Sequence, residues 1–237
     1  MIEELERLVK QINDQALRDK VLEFVRRPSF KFGDIESDFS ISESPASVFR
    51  HHSYKHGLLE HTVSVTMLGI TLCDILEKVY GAKANRDIVI AGCVLHDLMK
   101  GPLYEETEDG GYTVSKLGST IDHISLMVSE LNRRGFPIEV IHAVAAHHAE
   151  FNVLHPTTLE ALIVHIADIA DSRLNGKILE AARHLVKEAM GESVKSLNLK
   201  DSLELLRIAS KESLSSVKKY VEEYSLRRTS SRRTSFP

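Results

Sequence analysis

Along most of the chain, apolar residues recur every three or four positions, and strict alternation is rare. Ile2, Leu5, Leu8, Val9 and Ile12 fall on one stripe, the spacing of a helix with one buried face. A second helix is expected over residues 15–26, ending before Pro28, whose ring cannot continue it. Residues 28–57 hold Pro28, Gly33, Pro45 and several serines, and read as irregular connection with at most a turn of helix. The pattern then predicts a long helix over 58–80, stopped at Gly81, and another over 86–99, with Asn85 as N-cap and Gly101-Pro102 beyond its end. Further helices are expected over 118–134, 137–148, 157–173, 177–190 and 203–226. The exception is LYEETEDGGYTVSK, where Asp109-Gly110-Gly111 separates two short strand-like runs; it predicts a small β-hairpin near 103–115. The fold class is therefore all-α, with flanking terminal helices.

This pattern suggests N-terminal helices over 1–40 packing on a core, one main domain over 41–226 with a C-terminal helical extension, and a basic tail over 227–237. The tail repeats RRTS and is low in complexity, so it is expected to be disordered and solubilising. It carries four arginines and no acid, so the formal charge of −4 for the chain becomes −4 − 4 = −8 for residues 1–226. A body that acidic lacks the broad basic surface of a protein gripping long nucleic acid. Short phosphorylated ligands stay open as partners: a phosphorylated small molecule, a nucleotide or a short single strand. The two cysteines, Cys73 and Cys93, sit in apolar helical patterns and suit free thiols in a reducing compartment. No apolar run approaches the roughly 20 residues of a membrane span, and the charged amphipathic N-terminus is no signal peptide. A cytoplasmic protein without membrane contact is expected; whether it forms oligomers is not readable.

Five histidines and two aspartates bring chemistry into this picture: His61, His96, Asp97, His123, His147, His148 and Asp168, all placed on predicted helices. Taken singly, each has a plain reading. His61 and His123 pass as satisfied histidines, His96-Asp97 as a polar helix end, and His147-His148 as a surface pair. One chemistry recurring on successive helices is better explained by a shared site. Imidazole and carboxylate suit divalent zinc, manganese, iron or nickel, and a buried carboxylate needs a counter-charge that such an ion supplies. Lys100 follows Asp97 by three positions and adds positive charge, which favours phosphate. Asp171, three beyond Asp168, is an alternative ligand or a partner of one; Glu150 could orient His148, and His165 sits one turn before Asp168. His142, His155 and His184 look ordinary.

The order His61, His96-Asp97 and Asp168 resembles the HD superfamily of metal-dependent phosphohydrolases, named for its adjacent His-Asp. The added His123 and His147-His148 resemble the longer ligand set of HD-GYP phosphodiesterases. The segments SPASVFRHHSYKHGLLEHTVSV, HDLMK, HHAEF and HPTTLEALIVHIADIADS, within residues 41–173, are similar to the HD domain of bacterial 3'-to-5' exoribonucleases. Those enzymes carry an OB-fold before it, whereas about 40 largely helical residues precede it here, and the Gly-Tyr-Pro motif of the HD-GYP group is absent. The resemblance implies an HD helical bundle holding two divalent ions. His61, His96, Asp97 and Asp168 would bind the first, and Asp97 would bridge to a second held by His123, His147 and His148. It further implies attack on phosphorus by metal-activated water, with Lys100 clamping the phosphate and His52 or His56 protonating the leaving oxygen.

The expected function is hydrolysis of a phosphoester, favoured as a phosphodiester, in a nucleotide or short oligonucleotide. A nucleotide phosphomonoesterase, a diiron oxygenase and a non-enzymatic nucleotide-binding module are the alternatives.

Overall fold

The computed structural model describes residues 1–108, 110–149, 154–192 and 197–233, with side chains as far as Glu223 in the last helix. The chain divides into two compact units, Met1–Arg173 and Leu174–Pro237, and the division falls inside one helix.

In the first unit, α1 (Ile2–Val9) and α2 (Gln15–Arg26) lead into a hairpin of β1 (Ser29–Phe32) and β2 (Ile35–Asp38). α3 (Gly57–Tyr80) and α4 (Arg86–Leu95) follow, then a tight 3-10 segment, Leu98–Leu103. A second hairpin, β3 (Tyr104–Glu106) and β4 (Tyr112–Val114), precedes α5 (His123–Arg133), α6 (Ile138–Ala145) and the start of α7 (Leu159–Met190). Both hairpins are antiparallel, with Phe30 opposite Ser37 and Glu105 opposite Thr113. Helices thus dominate the described residues, as the periodicity predicts, and the hairpin expected near 103–115 is present.

α4 is the centre of the unit. All its residues from Ile88 to Leu95 are buried, and it packs against α1, α2, α3 and α6. Each fully buried aliphatic side chain there contributes about 1.5–3 kcal/mol of hydrophobic stabilisation. The Asn85 side chain accepts from the Asp87 amide at 3.1 Å and caps the helix as expected. α3 crosses α4 closely because Gly69 leaves room: a Cβ there would stand 2.6 Å from Cys93 Sγ. Leu58, Leu95, Leu98, Leu126 and Val144 join α1 and α2 in one continuous core.

The departures from expectation have local causes. The helix predicted over 86–99 ends at Leu95, and Asp97 turns out of it at φ −116° and ψ 0°. Pro102 disfavours helix just ahead of it, and the Lys100 amide closes a tight turn onto the Asp97 carbonyl at 2.9 Å. α5 starts at His123, not near 118, because the Asp122 side chain caps the Ser125 amide at 2.9 Å. β1 and β2 fall where the sequence predicts irregular connection, because their strands are short and turn at Gly33-Asp34. The break expected between 173 and 177 does not occur: α7 runs through Asn175-Gly176, and a helical glycine costs only about 1 kcal/mol. α3 is long enough to cross a membrane and apolar enough on average, although polar residues interrupt its apolar run as expected. Half of this apolar window is buried inside the protein.

In the second unit, the remainder of α7 is followed by α8 (Leu199–Lys211) and α9 (Leu214–Arg233), where one helix over 203–226 was expected. The chain breaks at Glu212, and the Ser213 hydroxyl accepts from the Ser216 amide at 3.3 Å to start α9. α8 and α9 pack on each other, and Tyr220 donates to Asp201 at 2.9 Å. The backbone of α9 runs into the basic tail as far as Arg233; residues 234–237 lie outside the described residues.

Candidate metal centre

Five elements of the first unit deliver the seven candidate ligands, and most of these stand at helix ends where the sequence placed them within helices. His61 is one turn into α3, His96 caps α4, and Asp97 occupies the turn after it. His123 is the first residue of α5, while His147 and His148 lie in the turn after α6. Only Asp168, on α7, shares with His61 a place inside a helix.

Their donor atoms form two groups with Asp97 in both. One comprises His61, His96, Asp97 and Asp168, all buried; the other comprises Asp97, His123, His147 and His148; within each, one donor atom per residue lies within 4.8 Å of the others. In the first group, His61 Nε2 stands 3.1 Å from His96 Nε2, 3.2 Å from Asp97 Oδ2 and 3.2 Å from Asp168 Oδ1. In the second, Asp97 Oδ1 lies 3.3 Å from His123 Nε2 and 3.5 Å from His147 Nε2. His148 Nδ1 approaches Asp168 Oδ2 at 3.5 Å. The two oxygens of Asp97 therefore face different groups, the disposition of a bridging carboxylate.

Hydrogen bonds behind the rings fix which nitrogen faces inward. His61 Nδ1 donates to Asp171 Oδ2 at 2.7 Å, His96 Nδ1 to the Cys93 carbonyl at 2.8 Å, and His147 Nδ1 to the Val144 carbonyl at 2.6 Å. A neutral imidazole carries one N–H, so each of these rings turns the lone pair of Nε2 toward the centre. His165 donates to the His147 carbonyl at 2.6 Å and holds that turn in place. His142 accepts from the Thr157 amide at 3.1 Å, a fastening between two segments.

Lone pairs and carboxylates so gathered repel one another unless a cation lies among them. Among the described residues, three buried atoms, Asp97 Oδ1, His123 Nε2 and His147 Nε2, have no hydrogen-bond partner, although buried polar atoms are normally satisfied. Lys100 supplies one positive charge, with Nζ 2.5 Å from Asp97 Oδ2, against the two carboxylates of Asp97 and Asp168. The donor set thus fits divalent cations, and it does so on the evidence of its own orphaned atoms. Protonation follows the same fields. Burial opposes charge on His61, but Asp168, Asp171 and Asp97 more than offset it and hold its pKa well above 6.5, so these acids favour a proton on Nε2 that a bound cation would displace to free the lone pair. Burial, with Lys100 next, holds His123 well below 6.5; burial, with His147 next, lowers His148 to about 4. Burial would raise Asp97, but Lys100 and His96 hold it well below 3.8.

The loop histidines divide. His52 is buried, with Nε2 3.6 Å from Asp171 Oδ2. His56 is exposed, its ring bonded to the Ser42 carbonyl, and the structure does not bring it to either group, because its left-handed backbone turns it outward at the start of α3. His51, for which the sequence suggests no role, has its ring centroid 5.2 Å from that of His61. Asp171 supports His61 from behind and also accepts from Ser64 at 2.5 Å. Nothing in the sequence separates His51 from His52; only the loop's path does. Glu150 lies outside the described residues.

Residues 58–173 match the HD domain family model. Among curated proteins, a dihydroneopterin 2',3'-cyclic phosphate phosphodiesterase of Methanocaldococcus jannaschii is 46% identical over 175 residues, covering 73% of this chain and 70% of that protein. A 3'-5' exoribonuclease YhaM of Bacillus subtilis is 31% identical over 55% of the chain and 43% of its own length, and one of Shouchella clausii is 29% identical over 56% and 43%. No solved structure matches. HD domains bind divalent metals, and the matched segment holds all seven histidines and aspartates of the two groups. The chain belongs to the HD-domain family of phosphohydrolases.

Proposed function

We propose that the protein is a binuclear metal-dependent phosphodiesterase whose substrates are small nucleotide-like phosphodiesters, 2',3'-cyclic phosphates foremost. The observation that carries this reading is Asp97, whose two oxygens serve two separate groups of imidazole nitrogens. Two divalent ions, from manganese, iron, nickel and zinc, would be held by His61, His96, Asp97 and Asp168 on one side and by Asp97, His123, His147 and His148 on the other. Such ions supply Lewis acidity toward phosphoryl oxygens and lower the pKa of water at neutral pH.

The chain's own residues do the rest. Asp171, Cys93 and Val144 fix the inward tautomers of His61, His96 and His147. Lys100 stays cationic, since Asp97 and Asp168 outweigh the burial that opposes its charge, and it keeps a positive field beside the phosphate. His123 and His148 are the ligands that reach solvent, with 16% and 30% of their side-chain surface exposed against 4% or less for the other five. The centre is therefore open to solvent at these two residues. Hydrolysis forms one P–O bond to the water oxygen, breaks one bridging P–O bond, and returns a proton to the freed hydroxyl.

Support for a cyclic substrate comes from the 46% identical relative, a dihydroneopterin 2',3'-cyclic phosphate phosphodiesterase. The chain spans only 43% of the exoribonuclease's length, and its acidic body gives long RNA no phosphate track. The free, buried Cys73 and Cys93 favour a cytoplasmic setting. The test is elemental analysis of protein purified anaerobically without chelator, with assays on adenosine 2',3'-cyclic phosphate, an aryl phosphodiester and a short oligoribonucleotide. About two ions per chain and turnover of the cyclic ester are expected. Metal-loaded protein that cleaves no phosphodiester would overturn the reading.

A further inference from the structure

We propose that His51 is a substrate-contacting residue, which donates or accepts a hydrogen bond through Nε2 beside His61, at the edge of the metal centre. The loop that carries it is built to hold it there. His52 takes a left-handed conformation, φ 46°, rare for a residue with a side chain, and such strain persists only where the surroundings over-determine it. The Ala46 amide bonds the His52 carbonyl at 3.1 Å, and the Leu58 amide bonds the Ser44 carbonyl at 3.0 Å. Gly57 lets α3 start against that loop, since a Cβ there would stand 2.1 Å from the His52 carbonyl oxygen.

The result is a histidine pair packed against His61. His52 is buried and faces Asp171; His51 is half-buried, with its Nδ1 3.3 Å from His52 Nδ1. That contact commits Nδ1 of His51, and Nε2 has no hydrogen-bond partner among the described residues. A third ion at His51, His52 and His61, whose donors also cluster, is the weaker assignment. His61 has one nitrogen turned into the main cluster and the other bonded to Asp171, so neither is free for it. His51 is left as a polar group beside the centre, partly open to solvent and not needed as a ligand. A phosphate oxygen or ribose hydroxyl of the substrate is the chemistry it fits.

The inference rests on the phosphodiesterase reading, and its test separates the two. A glutamine amide reproduces the position of histidine Nε2, whereas an asparagine amide reproduces Nδ1. In the metal-loaded full-length protein, His51→Asn is expected to raise KM for adenosine 2',3'-cyclic phosphate about 10- to 100-fold, and His51→Gln by less than about threefold. Metal content should stay at the wild-type level in both. The binding of inorganic phosphate, read by calorimetry, should weaken in the same order, and this readout survives even if no phosphodiester is cleaved. The reverse order, with Asn retaining function and Gln losing it, would show that His51 only supports His52 and would overturn the proposal. Loss of metal in both variants would make it a ligand, and unchanged KM and phosphate binding would make it a bystander; either overturns it. His51→Phe, followed by thermal melting, checks that the loop folds without the polar ring.

Discussion

Two carboxylates in the first unit are fully buried, Glu130 on α5 and Asp97 after α4, and their surroundings are opposites. Glu130 Oε1 accepts from the Lys31 amide at 2.7 Å and Arg133 Nε at 2.9 Å; Oε2 accepts from Arg133 Nη2 at 2.7 Å and Arg134 Nε at 3.0 Å. Arg134 also reaches Ser29 and lies over the Phe24 ring, 4.1 Å from its centroid. Every lone pair of Glu130 that matters is answered from within the chain, and the effect is to tie β1 to α5. Asp97 has one cation, Lys100, on one oxygen, while the other faces two imidazole nitrogens and no donor. A buried charge answered by the chain holds structure together; one left unanswered, among atoms of the same polarity, marks where a cation from outside belongs.

The widest gap between the two should come from Asp97→Ala. Removing the bridge empties both groups of their shared ligand, so metal content should fall and turnover should drop about 1000-fold or more, about 4 kcal/mol in barrier. Elemental analysis and the cyclic-phosphate assay check it. The melting temperature of the metal-free protein should fall, because the buried Lys100 ammonium loses its carboxylate partner. A variant that keeps its metal and its activity would break the contrast.

Glu130→Gln should do the reverse. It leaves the guanidinium groups of Arg134, partly buried, and Arg133, half exposed, without their anion and should cost about 2–4 kcal/mol of stability, less than breaking a wholly buried pair. Metal content of the folded protein should stay unchanged. Burial alone would raise the Glu130 pKa, but Arg133, the Lys31 amide and Arg134 more than offset it, so the folded value lies below the ordinary one. Its stabilisation is therefore complete above the unfolded pKa, about 4.3, and fades as pH falls through the folded value. Denaturant unfolding of both proteins between pH 7 and 3 should show their difference narrowing only below about pH 4.

Asp171→Asn lies between these extremes, since the carboxylate touches His61 and no proposed ion. Weakening the bond that fixes the His61 tautomer should lower metal affinity about 10- to 100-fold, with activity restored by excess metal. Asp97→Ala should not be restored in this way. Chelator titration followed by re-addition of metal separates the two cases.

How much of this was legible in the residues follows the same division. The helical periodicity located α1 to α4 well because their apolar stripes are long and regular. The seven residues that cluster were singled out because one chemistry recurs in one order. What the residues did not reveal was set by contacts between distant segments. The β1–β2 hairpin depends on Glu130, 99 positions beyond Lys31. Asp171 as the partner of His61 needs α3 and α7 side by side, 110 positions apart. His51 was passed over for His52 and His56 because three histidines in one irregular loop look alike until the chain's path separates them. Placing all seven ligands on helices was the clearest misreading. The apolar run into His96 is helical, but the turn at Asp97 and the Asp122 cap before His123 are local choices that periodicity does not register.

The smallest effect should sharpen the account of Glu130. Arg133→Met removes two of its four hydrogen bonds but leaves the Lys31 amide on one oxygen and Arg134 on the other. No lone pair is then wholly stranded, and the methionine stem can still cover the apolar surface that the arginine stem covered. The loss should be about 1 kcal/mol, well short of that for Glu130→Gln, as read by denaturant midpoint at constant slope. A loss as large as that of Glu130→Gln would mean that Arg133 alone neutralises the carboxylate. The redundancy that separates Glu130 from Asp97 would then be only apparent. A loss near zero would assign the work to Arg134, whose bond to Ser29 and place over Phe24 already tie it to β1 and α2.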